Sequence, residues 1–328
     1  MVSSVSKYHL VLGAGHWHRK ATPRGDLLSA QCLDDDMEDG SETAVKQTLA
    51  ELPSSPSARE LLPQRAVKCL WDMLKEQVRY RELLFTLASR DIRTRYKHSL
   101  IGVGWALFVP VILMVVFGTV LGKVAKIDTG DIPHPIFIYC GLVPWWFFQQ
   151  SVVRGTQSLV INRNLVTKIY FAREVLPFAA ILTAGFDFLI ASTVLAGMMI
   201  WFKVPPESTI ALVPLVLLIQ LILSAGVVLA LSMVNLFYRD VGQVISVMMM
   251  AWMFVTAVVY PIPDTGGWRV LNTLNPMTPI IVSYRDLILR GVLPDWGNLG
   301  AAAGISVALF AIAWTVFHTS EFRFAENV

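Results

Sequence analysis

The stretch that decides the fold is VLPFAAILTAGFDFLIASTVLAGMMIWF, residues 175–202. Its 28 residues contain a single charged side chain, that of Asp187. An α-helix of about 20 apolar residues is long enough to cross the roughly 30 Å hydrocarbon layer of a bilayer. The stretch therefore predicts a transmembrane helix, and we expect the chain to be a membrane protein.

Other apolar stretches have the same character, and together they predict six transmembrane helices. The expected spans are residues 102–122, 136–153, 175–202, 210–237, 241–260 and 299–317. The second span contains Pro144, which favours a bent helix. The predicted fold class is an all-α polytopic membrane protein, with a transmembrane domain that covers residues 99–328.

The composition agrees with this class. Of the 328 residues, 55% are hydrophobic and 16% are charged, whereas about a quarter of a soluble domain is charged. The net charge of +3 is too small to indicate a nucleic-acid partner. Cys32, Cys69 and Cys140 lie far apart and form no pattern with histidine, so we expect neither a disulfide framework nor a metal site.

Two segments precede the spans. Residues 1–58 are polar, with an acidic cluster at 34–39 and a Pro/Ser stretch at 53–57, and they predict a disordered cytoplasmic tail, with a regulatory docking segment as the alternative. In residues 59–98 apolar residues recur at helical spacing between basic ones. This pattern predicts one or two amphipathic helices that lie on the membrane surface.

The lysines and arginines set the orientation. They concentrate before the first span, in the loop after the second, and after the fourth and sixth, whereas in the opposite loops acidic residues balance them. The basic residues assigned to the loops and the C-terminal end are Arg154, Arg163, Lys168, Arg173, Arg239 and Arg323. By the positive-inside rule, both termini are cytoplasmic. Residues 261–298 then lie outside, where we expect two short re-entrant helices in the outer leaflet.

The chain carries no motif of an ATPase of its own. Its only Gly-Lys pair, Gly122-Lys123, lacks the rest of a phosphate-binding loop. Placing an ionised side chain such as that of Asp187 in the middle of a span costs about 2.5–3.5 kcal/mol on insertion scales. A hydrogen bond to a neighbouring helix is the favoured explanation of this residue, and proton coupling is the alternative. For the aromatic run at 145–148, packing and a pore-facing role both stay open.

The order of several motifs is more specific. From Arg81 to its end the chain resembles the permease subunit of ABC-2-type exporters, in the group that exports O-antigen, capsule and teichoic acid. The matching segments are YKHSLIG (96–102), CGLVPWWFF (140–148), NLVTKIYFAREVLP (164–177), FYRDVG (237–242), VYP (259–261) and LNPMTP (274–279). Ala172 departs from the pattern, because a proline is expected there.

This resemblance implies a homodimer of permeases with two cytoplasmic ATPase subunits, in the bacterial inner membrane, that exports a lipid-linked glycan. ATP and Mg²⁺ would bind the ATPase subunits, and this chain would bind no cofactor. The resemblance also implies three groups of functional residues. The loop that couples to the ATPase would use Asn164, Lys168, Tyr170, Arg173 and Glu174; the interface helix that admits the lipid head group would use Arg90, Arg93, Arg95 and Lys97; and the translocation path would use Trp145, Trp146, Phe147, Phe148 and Tyr260.

Three alternatives compete with this interpretation. An ABC-2 exporter of a drug or a simple lipid would have similar spans. A secondary transporter usually shows inverted repeats, and the sequence shows none. A membrane-embedded transferase needs a cluster of acidic or histidine residues at one membrane face, and the sequence shows no such cluster.

Overall fold

The computed structural model describes residues 81–97, 104–120, 132–168, 172–260 and 274–327. A 3-10 turn covers Ser208–Leu212, and a π-helical turn covers Asp286–Arg290. None of these described residues lies in a β-strand, so the predicted all-α class is confirmed for them. The helices discussed below are α1 (Arg81–Lys97), α2 (Gly104–Thr119), α3 (His134–Ile161), α4 (Arg163–Lys168), α5 (Val175–Trp201), α6 (Val213–Phe237), α7 (Val241–Val255), α8 (Met277–Arg285) and α9 (Trp296–Asn327).

Within the described residues, four stretches of helix are long and apolar enough to cross a membrane. They are His134–Ile161, Val175–Trp201, Ser208–Phe237 and Trp296–Ser320. Two shorter apolar helices, Leu107–Thr119 and Val241–Val255, lie where the first and fifth spans are predicted. Both are shorter than the roughly 20 residues of a typical span. The membrane character of the fold is confirmed, and the count of six spans stays a prediction.

Helix α3 lies at the centre of the helix bundle. It packs against α2, α5, α6, α7 and α8, whereas α9 packs mainly on α6. The buried share of the most apolar window is 78% in α3 and 28% in α9. A helix that is apolar on every face is the kind that packs in an interior. At Pro144, inside α3, the backbone carbonyl accepts a hydrogen bond from the side-chain amide of Gln220 of α6 at 2.7 Å.

The observed end of α3 differs from the predicted end of the second span. The second span was expected to stop at residue 153, with Arg154 in the loop, but the helix continues to Ile161 and carries Arg154 inside it. The helix continues through these extra turns because Leu159 is fully buried among side chains of α5 and α9. The last span also extends beyond its predicted limits on both sides, and α7 ends before residue 260.

Glycine allows close contact at one crossing of the helices. A Cβ added to Gly226 of α6 would lie 2.8 Å from the Phe310 nitrogen of α9. The backbones of α6 and α9 therefore touch there, and no larger residue fits without moving one helix.

The predicted re-entrant segment is described only from residue 274 onward. There α8 and the π-helical turn form a short helical unit, which ends at Gly291 with a φ of 65°. Residues 261–273 and the predicted tail at 1–58 lie outside the described residues, as does the part of the 59–98 segment before residue 81.

Candidate functional site

Helix α1, the predicted interface helix, packs along α5. Leu87 and Ala88 of α1 are buried in a cluster that includes Val175 and Leu176 from the start of α5. Two turns later the ring of Tyr96 lies 6.4 Å from that of Phe186. The contacts of α1 therefore follow α5 from its first turn to its middle. Burial of Leu87 and Ala88 provides the apolar part of this docking.

A charged cluster, consisting of Arg95, Tyr96, Arg154 and Asp187, completes the docking. The Asp187 carboxylate accepts from Arg95 Nη1 at 2.5 Å and from the Tyr96 hydroxyl at 2.5 Å. It also accepts from Arg154 Nη1 at 3.3 Å. The Asp187 side chain is 5% exposed, and those of Arg95 and Arg154 are 28% and 29% exposed. The carboxylate thus joins α1, α3 and α5 at one point.

The cluster explains the acidic residue in mid-span. The favoured interpretation, a hydrogen bond to a neighbouring helix, agrees with these contacts. The sequence reasoning missed Arg154 as a partner because it ended the second span too early. The apolar residues at 159–161 are the signal that could have extended the helix and placed Arg154 inside it.

Arg90 connects α1 to the loop after α3. Its Nη2 donates to Asn162 Oδ1 at 2.9 Å and to Asp91 Oδ1 at 3.0 Å. Asn162 is the last residue before α4, so this bond reaches the start of the predicted coupling loop. Arg93 and Lys97 lie with Arg90 along a shallow groove on the outer side of α1. Two of the four predicted head-group residues, Arg90 and Arg95, lie near α3. Arg90 bonds to Asn162, which follows α3, and Arg95 shares Asp187 with Arg154 of α3.

The predicted coupling loop begins with α4, on which Asn164 is exposed. The side chain of Lys168 and the whole of Tyr170 lie outside the described residues. Arg173 is half-buried, and Glu174 is only 4% exposed. His318 Nδ1 of α9 lies 3.5 Å from Glu174 Oε1. The loop is therefore held to α1 at its start and to α9 at its end.

The aromatic run of α3 is mostly packed inside the protein. Trp145, Phe147 and Phe148 are almost fully buried, whereas Trp146 is partly exposed. Phe148 meets Trp252 of α7 edge-to-face, with ring centres 5.4 Å apart. These contacts give three of the four rings a packing role. Assignment of the run to a translocation path stays a prediction.

Tyr260, the fifth residue predicted for that path, is partly exposed, and its hydroxyl donates to the carbonyl of Phe254 in α7. The tyrosine therefore folds back onto the end of α7. Its part in translocation also stays a prediction.

A buried arginine holds the segment after α7. Arg285 is 3% exposed, and its guanidinium donates to the carbonyls of Ala257 (3.2 Å) and Val258. Its Cζ atom lies 3.9 Å from the centre of the Phe137 ring. Two carbonyl bonds and a cation–π contact compensate part of the cost of burying this charge. The same bonds hold Ala257 at a φ of 54°, a left-handed conformation that is uncommon for residues other than glycine.

Asn275, in the LNPMTP motif, makes a second connection to α7. Its Oδ1 accepts from Trp252 Nε1 at 3.2 Å and from the Met277 nitrogen at 3.1 Å. Its Nδ2 donates to Thr256 Oγ1 at 3.0 Å. Neither Arg285 nor Asn275 was singled out from the sequence as a functional residue.

Comparison with known proteins assigns a context to this arrangement. Residues 82–289 match the family described as ABC-2 type transporter. The O-antigen export system permease protein RfbA of Myxococcus xanthus is 30% identical over 260 residues, which cover 78% of this chain and 99% of that protein. A protein of the same name from Klebsiella pneumoniae is 26% identical over 249 residues, 75% of this chain and 94% of its own. The polysialic acid transport protein KpsM of Escherichia coli is 24% identical over 242 residues, 72% of this chain and 92% of its own.

Proposed function

Since the chain belongs to the ABC-2 type transporter family, we propose that it is the permease subunit of an exporter of a lipid-linked polysaccharide. The observation that carries the proposal is the similarity to O-antigen and polysialic acid permeases over 92–99% of their length. O-antigen and polysialic acid are both polysaccharides. The proposal places the chain in the bacterial inner membrane, with both termini in the cytoplasm.

A separate ATPase subunit supplies the energy in this proposal. The sequence contains no phosphate-binding loop, so ATP and Mg²⁺ bind the partner. In this proposal the partner contacts residues 164–174. This proposal is supported by the exposed Asn164 on α4, by the hydrogen bond from Arg90 of α1 to Asn162 just before the loop, and by the proximity of His318 of α9 to Glu174 at its end. A movement of the loop then acts on both helices.

The working unit in this proposal is a homodimer of permeases with two ATPase subunits. Several apolar side chains are exposed on α7 and α9, among them Val247 at 71% and Ile312 at 63%. In a membrane such faces meet either lipid or a second copy of the chain. The glycan passes between the two copies, and its lipid head group enters beside the basic helix α1.

Deletion of the gene in its host tests the cargo. We expect a lipid-linked glycan to accumulate in the cytoplasmic leaflet, and plasmid-borne wild-type protein to restore export. Mass spectrometry of the accumulated lipid identifies the sugar and the anchor. Retention of a drug or a simple lipid, with the surface glycan unchanged, would reject the proposal.

Co-purification tests the partner. The tagged chain should retain an ATPase subunit in detergent, and the complex should hydrolyse ATP. The double variant with Asn164→Asp and Arg173→Ala, purified in the same way, should insert normally but retain less of the ATPase subunit than the wild type. Equal recovery of the ATPase from both samples would remove the loop from the interface.

A further inference from the structure

A narrow slot of about 440 Å³ runs along the second half of α5. Its opposite wall comes from α3, the start of α6, α8 and both short turns. Among the described residues, α1, α7 and α9 contribute nothing to the lining, so the slot is separate from the charged cluster and from the exposed apolar faces of α7 and α9. The α5 residues that line the slot are Phe188, Ser192, Leu195, Ala196, Met199 and Ile200.

The slot offers a ligand almost no polar side chain. Only Cys140, Ser192 and Tyr284 of its lining carry a polar side-chain atom. The Ser192 hydroxyl donates to the Phe188 carbonyl of its own helix at 2.8 Å, and Cys140 and Tyr284 are at most 2% exposed. A charged group or a sugar would lose its hydration in the slot and gain no replacement for it. The slot therefore favours an apolar occupant.

The dimensions of the slot fit one hydrocarbon chain. Phe188 and Ile200 are twelve residues apart, so the slot extends about 18 Å along the axis of α5, close to the roughly 15 Å of hydrocarbon in one leaflet. Its mean cross-section is then about 24 Å². An α-helix with its side chains is about 10 Å wide and needs about 80 Å², whereas a methylene chain needs about 20 Å². A helix of a second copy does not fit, but one extended acyl chain does.

The open end of the slot has the composition of a membrane interface. The slot opens where its exposed lining residues lie, at Ala196, Ile200 and Pro206. Trp201 is 82% exposed beside this opening, and the exposed Lys203 follows it. Tryptophan collects at the boundary between hydrocarbon and head groups, and lysine near that boundary attracts lipid phosphates. A lipid whose chain fills the slot would place its phosphate near Lys203.

The slot also lies between α5 and the unit formed by α8 and the π-helical turn, since Tyr284 and Ile288 of that unit line it. Thr209 of the 3-10 turn donates to the Leu287 carbonyl of the unit at 2.8 Å. This bond attaches the unit to the segment that follows α5. A chain in the slot would fill the remaining space and contact α5 on one side and the unit on the other.

We propose that the slot binds one acyl chain of a resident phospholipid, with the phosphate of that lipid near Lys203. The leaflet concerned lies at the end of α5 remote from the coupling loop, which is the outer leaflet in the proposed orientation. This lipid is a structural ligand and not the exported cargo. The inference therefore goes beyond the proposed function and does not depend on which cargo the protein carries.

Photo-crosslinking in nanodiscs tests the proposal with the full-length chain. The probe is phosphatidylcholine with a diazirine on one acyl chain, and tandem mass spectrometry locates the adducts. We expect adducts on Leu195 and Met199, which are at most 9% exposed and are therefore shielded from lipid outside the slot. Ala196→Phe places a ring in the slot and should reduce these adducts at least about tenfold. Thr193→Phe is the matched control, because it adds a ring at an exposed position of the same helix outside the slot. It should be labelled as the wild type is.

Two further measurements identify the head group. Lys203→Ala should reduce the adducts about fivefold, the equivalent of one lysine near a phosphate. A diazirine-bearing fatty acid at the same mole fraction should label Leu195 and Met199 more weakly than the phospholipid, because a carboxyl group loses part of its charge at an apolar surface. Equal or stronger labelling by the fatty acid would overturn the phospholipid assignment.

A second variant keeps the test decisive if Ala196→Phe does not fold. Ala196→Leu adds a smaller apolar group at the same exposed position and should also reduce the adducts. Wild-type labelling of Leu195 and Met199 in either folded variant would overturn the proposal. The assay contains neither ATPase nor glycan, so it can fail while polysaccharide export stands.

Discussion

Replacing Asp187 with asparagine tests whether its charge keeps α1 docked. The change preserves the shape of the side chain but removes the negative charge that Arg95 and Arg154 share at 2.5 Å and 3.3 Å. Breaking a buried ion pair at one partner costs about 3–5 kcal/mol. Both arginines are more than a quarter exposed and regain some water, so we expect about 2–3 kcal/mol here. That free energy shifts the docked-to-undocked equilibrium of α1 by about 30- to 150-fold.

Thiol labelling measures this shift. A cysteine at Ala88, which is 2% exposed, reports undocking, and a cysteine at Phe85, which is 58% exposed, is the control on the same helix. The three native cysteines are replaced beforehand. In Asp187→Asn we expect Ala88→Cys to react about 30- to 150-fold faster with a maleimide, and Phe85→Cys to react at an unchanged rate. Equal labelling of Ala88→Cys in both backgrounds would show that the carboxylate does not hold α1, and the reasoning from the charged cluster would be refuted.

Three further predictions follow from contacts elsewhere in the protein. Gly226→Val should lower the melting temperature by several degrees, because the added carbons meet the α9 backbone, whereas Gly300→Ala, with open space around it, should not; differential scanning fluorimetry compares them. Arg285→Lys keeps the positive charge but loses the planar guanidinium that donates to the carbonyls of Ala257 and Val258. Hydrogen exchange of the backbone amides of residues 256–260 should therefore accelerate about tenfold or more, and unchanged exchange would contradict this role. Replacing Arg173 and Glu174 together by alanine should leave membrane insertion intact, but ATP hydrolysis should no longer drive export. Export and phosphate release measured in parallel in vesicles test this prediction, and normal export would reject the coupling role.

The spans are the part of the fold that could be predicted from the sequence. Apolar length is a local property, and the stretch 175–202 contains its evidence in itself, as the observed helix Val175–Trp201 confirms. The end of α3 was missed because a single arginine resembles a loop residue when loops are assigned by charge. Its true surroundings depend on Asp187, which is 33 residues away in the chain.

The sequence predicts which residue types form the site, but it does not predict which of these residues contact each other. The basic face of α1 is visible in the sequence, but the partner of Arg95 lies 92 residues away. The buried position of Glu174 is likewise set by α9, which returns to the loop only in the folded protein. Long-range contacts of this kind depend on how the helices pack, and the period of one helix carries no information about them.

The bond between Arg90 and Asn162 has a thermodynamic consequence for the whole transporter. It joins α1, the predicted interface helix, to the residue just before the loop that we propose contacts the ATPase. If a ligand bound beside α1 changes the affinity of that loop for the ATPase by some factor, the ATPase must change the affinity for that ligand by the same factor. A lipid head group bound at α1, as the proposed function has it, would then regulate assembly of the ATPase as well as mark the cargo. Its binding and the recruitment of the motor would be two measurements of one free energy.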